Sequence, residues 1–216
     1  MKSSKIVITI SKIFSIFLKK FSSKMKVFYF KKLSDFMFFV IEKIAVKMKK
    51  LLPLYLKYYD DIANKEIDIA NISSSDKFLH MGVGSLPSTS ILIAKKTGAT
   101  AIGIDRNSSS VKEANLCIHL FNLDGIAQIK NEEAMNFPVK NFDVIIVSQG
   151  IEPRDEILKY VSQSMKDDAR VILRTFSSVE GEITEYDTLL KSIFKIGKIA
   201  PHENHGLLAS VVLFKK

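Results

Sequence analysis

Residues 78–105 read Phe78-Leu79-His80-Met81, then Gly82-Val83-Gly84-Ser85-Leu86-Pro87-Ser88-Thr89, then Ser90-Ile91-Leu92-Ile93-Ala94-Lys95-Lys96-Thr97-Gly98, and finally Ala99-Thr100-Ala101-Ile102-Gly103-Ile104-Asp105. The first apolar run reads as a strand over Phe78 to Met81. Ser88 to Lys96 reads as a helix stopped by Gly98, and Ala99 to Ile104 as a second strand. Two glycines after the first strand let the backbone turn sharply and let a ligand lie against it with no Cβ in the way. The helix that follows aims its free N–H groups and its positive dipole end at the same space. Asp105 closes the second strand, 21 residues after Gly84. A carboxylate at that strand tip can accept both hydroxyls of a ribose.

Downstream, Ser109 to Phe121 reads as a helix, and Ala127 to Lys130 and Phe142 to Val147 as strands. Asp155 to Met165 is a helix, Arg170 to Thr175 a strand, and Glu182 to Phe194 a helix. Two final strands fall near Lys198 and over Leu207 to Phe214. Strands apolar on both faces, alternating with helices, predict a parallel sheet covered on both sides. The last two strands are joined by Pro201 to Gly206 with no helix, which predicts an antiparallel hairpin at one edge. The expected class is therefore α/β, a methyltransferase-like Rossmann fold. Upstream of the polar break Asn71-Ile72-Ser73-Ser74-Ser75-Asp76, helix formers dominate, with Pro53 as punctuation. This predicts a small helical domain over 1–72 and a ligand-binding domain over 73–216.

The chain has 216 residues, 47% hydrophobic and 25% charged, which excludes a wholly disordered protein and suits one good core plus a small satellite. Its one cysteine, Cys117, excludes an internal disulfide framework and a thiolate zinc cluster, and fits a reducing cytoplasm. His80, His119, His202 and His205 lack HExxH-type spacing, so no catalytic metal is expected. Residues 1–50 carry thirteen lysines against Asp35 and Glu42. Their apolar residues recur three and four apart, broken by lysine, and no run approaches the ~20 residues a bilayer span needs. They read as amphipathic helices capping the following domain. Attraction to an anionic membrane surface is the other reading. No arginine precedes Arg106, which argues against nucleic acid as a partner.

The loop resembles a dinucleotide fingerprint, but the third glycine is absent and Pro87 stands there. Its ring and missing N–H obstruct the close approach a pyrophosphate needs. S-adenosylmethionine, a nucleoside with a cationic amino-acid tail, suits the loop better. In Asn131-Glu132-Glu133-Ala134, Glu132 could accept from an adenine amino group or be a solvated loop charge. Ser148-Gln149-Gly150-Ile151-Glu152-Pro153 follows a strand and offers contacts to the ligand tail. Arg174 ends a buried strand and needs an anionic partner: a substrate carboxylate, or Asp143 or Glu180.

Gly82-Val83-Gly84-Ser85-Leu86-Pro87-Ser88-Thr89 resembles the GxGPLPxT loop of the nicotianamine synthase family. Leu173-Arg174-Thr175, with Gly181 beyond, is similar to its LR(S/T)xxG segment. Leu52-Pro53-Leu54-Tyr55-Leu56-Lys57-Tyr58, with Glu66 downstream, looks like its FPYYxNYxxLxxLE helix. Ser85 stands at a family proline and Leu54 at a family tyrosine. One extra residue between Tyr58 and Glu66 makes Lys65 a rival for the aligned place. The resemblance implies transfer of the aminobutyrate arm of S-adenosylmethionine to an amine such as glutamate, with methylthioadenosine leaving and a nicotianamine-like metal chelator as product. It implies that Gly82, Gly84, Ser85, Leu86, Pro87, Thr89, Asp105, Arg106, Glu132 and Gln149 bind S-adenosylmethionine. On the same ground Glu66 and Tyr58 would be catalytic, and Arg174 and Tyr55 would contact substrate. An ordinary small-molecule methyltransferase and a non-catalytic, membrane-associated binding protein are the alternatives.

Overall fold

The structure is a computed structural model, and it describes Val46 and residues 51–176, 187–202 and 208–216. The lysine-rich stretch to which the cap and membrane readings belong lies outside the described residues, apart from Val46, and so do Glu180, Gly181 and His205.

Five helices and seven strands make up the described chain: α1 Leu52–Ala70, β1 Lys77–Met81, α2 Ser88–Thr97, β2 Thr100–Asp105, α3 Ser108–Leu120, β3 Ala127–Asn131, β4 Val144–Val147, α4 Arg154–Ser164, β5 Arg170–Phe176, α5 Asp187–Ile193, β6 Phe194–Pro201 and β7 Leu208–Lys215. They form one sheet in the order β3-β2-β1-β4-β5-β7-β6. The first five strands pair in parallel, while β7 runs antiparallel to both β5 and β6. The expected parallel sheet with an antiparallel hairpin is therefore the observed one.

Alternation along each strand divides the core. Phe78, Val144, Ile146, Ile172 and Val212 face one side, with α1 and α2. Leu79, Met81, Ile145, Val147, Val171, Leu173 and Val211 face the other, with α4. Helix α1 starts on Pro53, whose missing N–H costs nothing in a first turn, and ends at Asn71 in the left-handed region, φ 50°. It buries Leu52, Tyr55, Leu56, Ala63 and Ala70 in the same cluster as Phe78 and Ile91. Arg170, at the start of β5, ties down the end of α1. Its Nη1 donates to the carbonyls of Ala70 (2.7 Å) and Asn71 (3.0 Å), and its Nη2 pairs with Asp76.

Two boundaries differ notably from expectation. The fourth strand begins at Val144, because Phe142 and Asp143 belong to the turn that leads in. Phe194 starts β6 instead of ending a helix, and its side chain is buried beneath the hairpin. An apolar residue at such a junction satisfies both periodicities, so tertiary pairing decides. Of the helix expected over 182–194, residues 182–186 lie outside the described part.

Strand β1 lies between β2 and β4, so chain connections leave it in opposite directions along the sheet. That switch point opens a crevice at the carboxyl ends of the strands. The loop after β1 enters it with Gly82 at φ 76° and Gly84 at φ 67°, backbone states that a side chain would strain. Gly103 of β2 supports this loop from beneath. A Cβ there would fall 2.7 Å from Val83 Cγ1 and 2.5 Å from Ile129 Cδ1. Gly103→Ala is expected to destabilise the protein by roughly 1–3 kcal/mol through overpacking, read as a lower urea midpoint at unchanged slope.

Candidate active site

The glycine loop is held to β2 by the acid at its tip. Gly84 N–H donates to Asp105 Oδ2 and Asn107 N–H to Asp105 Oδ1, both at 2.9 Å. Asn107 in turn caps α3, accepting from the amides of Ser109 (3.0 Å) and Ser110 (3.1 Å). Asn131 at the end of β3 donates to the Asp105 carbonyl at 2.9 Å. One carboxylate thus fixes loop, strand tip and helix start, with lone pairs left over for a ligand.

Beside it lies a cleft of about 460 Å³, walled by Gly82 and Gly84, by Asp105 and Arg106, by Glu132 to Asn136, and by Gly150 to Pro153. Of the residues expected to bind the cofactor, the structure brings Gly82, Gly84, Asp105, Arg106 and Glu132 to this cleft. The others stand behind it. Ser85 is fully buried and donates to Ser110 Oγ at 3.2 Å, Leu86 belongs to the core, and Pro87 precedes the first turn of α2. Gln149 is half-buried, and its carbonyl accepts from Arg154.

Behind the loop is a second, buried constellation. Arg174 Nε and Nη2 donate to Glu66 Oε1 and Oε2 at 2.7 and 2.8 Å, a bidentate pair. Nη2 also donates to Thr89 Oγ1 at 2.6 Å, and Ser210 Oγ donates to Glu66 Oε1 at 2.7 Å. Glu66 is 0% exposed and Arg174 7%. Burial alone would lower the Arg174 pKa; the charge and hydrogen bonds of Glu66 outweigh it and hold the guanidinium above its ordinary value. The partner of Arg174 is therefore neither of the two acids weighed from sequence. Asp143 sits at the other end of the sheet, on Lys166 and the Lys77 amide, and Glu180 is outside the described residues. Lys65 points outward to the Pro201 carbonyl at 2.8 Å and to Asp61, while Glu66 on the next position faces in.

Tyrosines of α1 flank the cluster. Tyr55 and Tyr59 stack with centroids 5.1 Å apart, and Tyr58 meets Tyr59 edge-on at 5.3 Å. Burial, with Tyr59 adding to it, holds the Tyr58 phenol protonated well above its usual range. The side chains of Tyr55 and Tyr59 lie close enough to Arg174 to favour its charge.

Two buried groups escaped sequence reasoning. His80 on β1 is fixed between Ser90 of α2 (Nδ1, 3.0 Å) and Ser148 after β4 (Nε2, 2.9 Å). Arg154 at the start of α4, 2% exposed, donates to the carbonyls of Gln149 (2.8 Å) and Arg174, joining the loop after β4 to β5. A histidine inside an apolar strand and an arginine after a proline carry no spacing signal that would single them out.

No family model matches the chain. Over 120 residues it is 24% identical to the L-histidine 2-aminobutanoyltransferase of Pseudomonas aeruginosa (strain UCBPP-PA14), covering 54% of this chain and 44% of the relative. Over 142 residues it is 26% identical to the protein of the same name from Yersinia pestis, covering 65% and 48%. The chain thus spans about half the length of the curated relatives it matches. Among solved structures it superposes on MtNAS in complex with MTA and tNA with a TM-score of 0.70 at 16% identity, covering 81% of this chain and 68% of that one. A variant of MtNAS in complex with S-adenosylmethionine gives 0.67 at 16%, covering 83% and 75%. The mitomycin 7-O-methyltransferase MmcR gives 0.62 at 15%, covering 76% and 54%. The fold is that of S-adenosylmethionine-dependent methyltransferases. In sequence the chain is similar to L-histidine 2-aminobutanoyltransferases over about half of their length.

The His80 ring has its pKa lowered to about 3, by burial first and by the Arg174 charge second. The folded state keeps it neutral while the unfolded chain protonates it below about 6.5. Its contribution to stability is therefore complete above about pH 6.5 and is lost progressively as pH falls from there toward 3. By pH 5 the loss is about 2 kcal/mol from this group alone. Urea unfolding at pH 7.5 and pH 5 is expected to show a smaller pH dependence in His80→Gln than in the wild type by about that amount.

Proposed function

We propose that the chain transfers the 3-amino-3-carboxypropyl arm of S-adenosylmethionine to the amine of a small molecule, releasing methylthioadenosine and making a nicotianamine-like chelator. One observation carries this reading. The three sequence blocks that resemble nicotianamine synthases, far apart in the chain, meet in one hydrogen-bonded cluster through Glu66, Thr89 and Arg174. A methyltransferase fold alone gives no reason for that convergence.

The proposed division of labour follows from the chemistry. Asp105 accepts the ribose hydroxyls, and Glu132 accepts from the adenine amino group. Arg174 holds a substrate carboxylate as well as Glu66, and Tyr55 and Tyr58 bound the space for the arm. The sulfonium is already a good leaving group, so positioning the amine in line with the C–S bond is the main task. As the nitrogen lone pair forms the C–N bond, the C–S electron pair goes to sulfur. The ammonium so formed loses a proton, for which Glu66 is the nearby carboxylate. His80, held neutral, adds no positive charge beside Arg174 or the incoming sulfonium. A reducing cytoplasm is the setting in which we place this chemistry, on the strength of a lone cysteine.

Incubation with S-adenosylmethionine and candidate amines, glutamate and histidine first, is expected to yield methylthioadenosine by mass spectrometry. Adenosylhomocysteine in its place would show methyl transfer instead. Asp105→Ala is expected to weaken S-adenosylmethionine binding by roughly 2–4 kcal/mol in calorimetry, since hydrogen bonds to a charged group and an anchor of the loop are both lost. Glu66→Gln is expected to slow turnover while leaving that affinity within a few-fold. Full activity in this variant would remove Glu66 from the chemistry.

A further inference from the structure

The two oxygens of Glu66 are not equivalent. Oε1 accepts from Arg174 Nε at 2.7 Å and from Ser210 Oγ at 2.7 Å, whereas Oε2 accepts from Arg174 Nη2 at 2.8 Å. A carboxylate offers about two acceptor sites on each oxygen. Among the described residues Oε1 has both acceptor sites occupied and Oε2 has one of its two.

Ser210 lies on β7 directly opposite Arg174 in the β5–β7 ladder and is fully buried. Its single proton goes to Glu66. The 2.9 Å contact between its Oγ and His202 Nε2 is therefore completed with His202 as the donor. His202 is itself 0% exposed, and its backbone N–H donates to the Leu208 carbonyl at 2.8 Å, which anchors its main chain at the end of β6 beside β7. The chain of hydrogen bonds thus has one polarity, from His202 through Ser210 to Glu66. Every proton points at the carboxylate. A proton arriving at Oε1 would meet a hydroxyl whose own proton finds Nε2 already protonated. The arrangement orients Glu66; it is not an exit route.

We propose that His202, acting through Ser210, reserves Oε2 of Glu66 as the atom that takes the proton from the amine. This rests on the aminobutyrate reading above and extends it to two positioning residues that the resemblance does not name. The amine lone pair forms the bond to the γ-carbon and the C–S pair departs to sulfur. The resulting ammonium then gives one proton to Oε2, which leaves a neutral substituted amine.

The test uses the full chain, with methylthioadenosine release and S-adenosylmethionine affinity measured side by side. Ser210→Ala and His202→Ala are expected to lower kcat about 10- to 100-fold, the effect of losing one charge-assisted hydrogen bond, with affinity for S-adenosylmethionine within twofold of wild type. Ser210→Thr keeps the hydroxyl and His202→Gln keeps an N–H near the place of Nε2, so both are expected to recover most of the rate. Ser210→Ala added to Glu66→Gln is expected to cost nothing further, because its effect runs through Glu66. Should the alanine variants fail to fold by circular dichroism, Ser210→Cys, near in size and a weak donor, replaces them with the same expected drop. A Ser210→Ala rate within twofold of wild type, equal losses in alanine and conservative variants, or additivity with Glu66→Gln would each overturn the proposal. These outcomes require that wild type releases methylthioadenosine. Release of adenosylhomocysteine by wild type overturns the aminobutyrate reading itself, and the proposal with it.

Discussion

A guanidinium and a carboxylate taken out of water cost several kcal/mol each unless geometry and further hydrogen bonds make up the loss. The pair between Glu66 and Arg174 meets that condition through two parallel N–H···O contacts and the hydroxyls of Thr89 and Ser210. The demand is structural before it is chemical. Helix α1 has to dock with one face on the sheet, the loop after β1 has to bring Thr89 inward, and β7 has to insert beside β5 so that Ser210 arrives opposite Arg174. Removing either charge would leave the other buried and unpaired, which makes this contact a constraint on the whole α1 side of the molecule.

The sheet order explains why a cleft opens at the same end of the sheet as this pair. Loops that leave β1, β2 and β4 at their carboxyl ends surround the switch point, and β1 occupies its centre. The glycine loop serves both sites. Gly82 and Gly84 wall the cleft, while Thr89, in the first turn of the helix that the loop leads into, reaches the ion pair. Arg154 closes the arrangement from the far side by holding the carbonyls of Gln149 and Arg174 together. This buried cation ties the loop after β4 to the backbone of the ion-paired arginine.

Much of the fold was legible because it is written in local periodicity. Apolar runs of four to six residues, the glycines after Met81, Gly98 at a helix end and Asp105 at a strand tip each announce their role within a few neighbours. The cleft was legible for the same reason: Gly82, Gly84, Asp105, Arg106 and Glu132 all sit at strand ends or in the turns that follow them. What could not be read was partnership. Arg174 called for an anion, yet its partner lies 108 residues away on a helix, and nothing in either segment names the other. Phe194 showed the same limit at smaller scale, since its apolar side chain suits a helix end and a strand start equally.

Spacing along the chain was enough for an α/β sheet of this connectivity, for the glycine turn at its switch point and for the acid at the neighbouring strand tip. Tertiary structure alone decided that Glu66 meets Arg174, that Ser210 and His202 stand behind Glu66, and that His80 and Arg154 are buried between elements. Burial of charge is the reason. Its cost is set by the whole surrounding set of donors and acceptors, and that set exists only once distant strands and helices have packed.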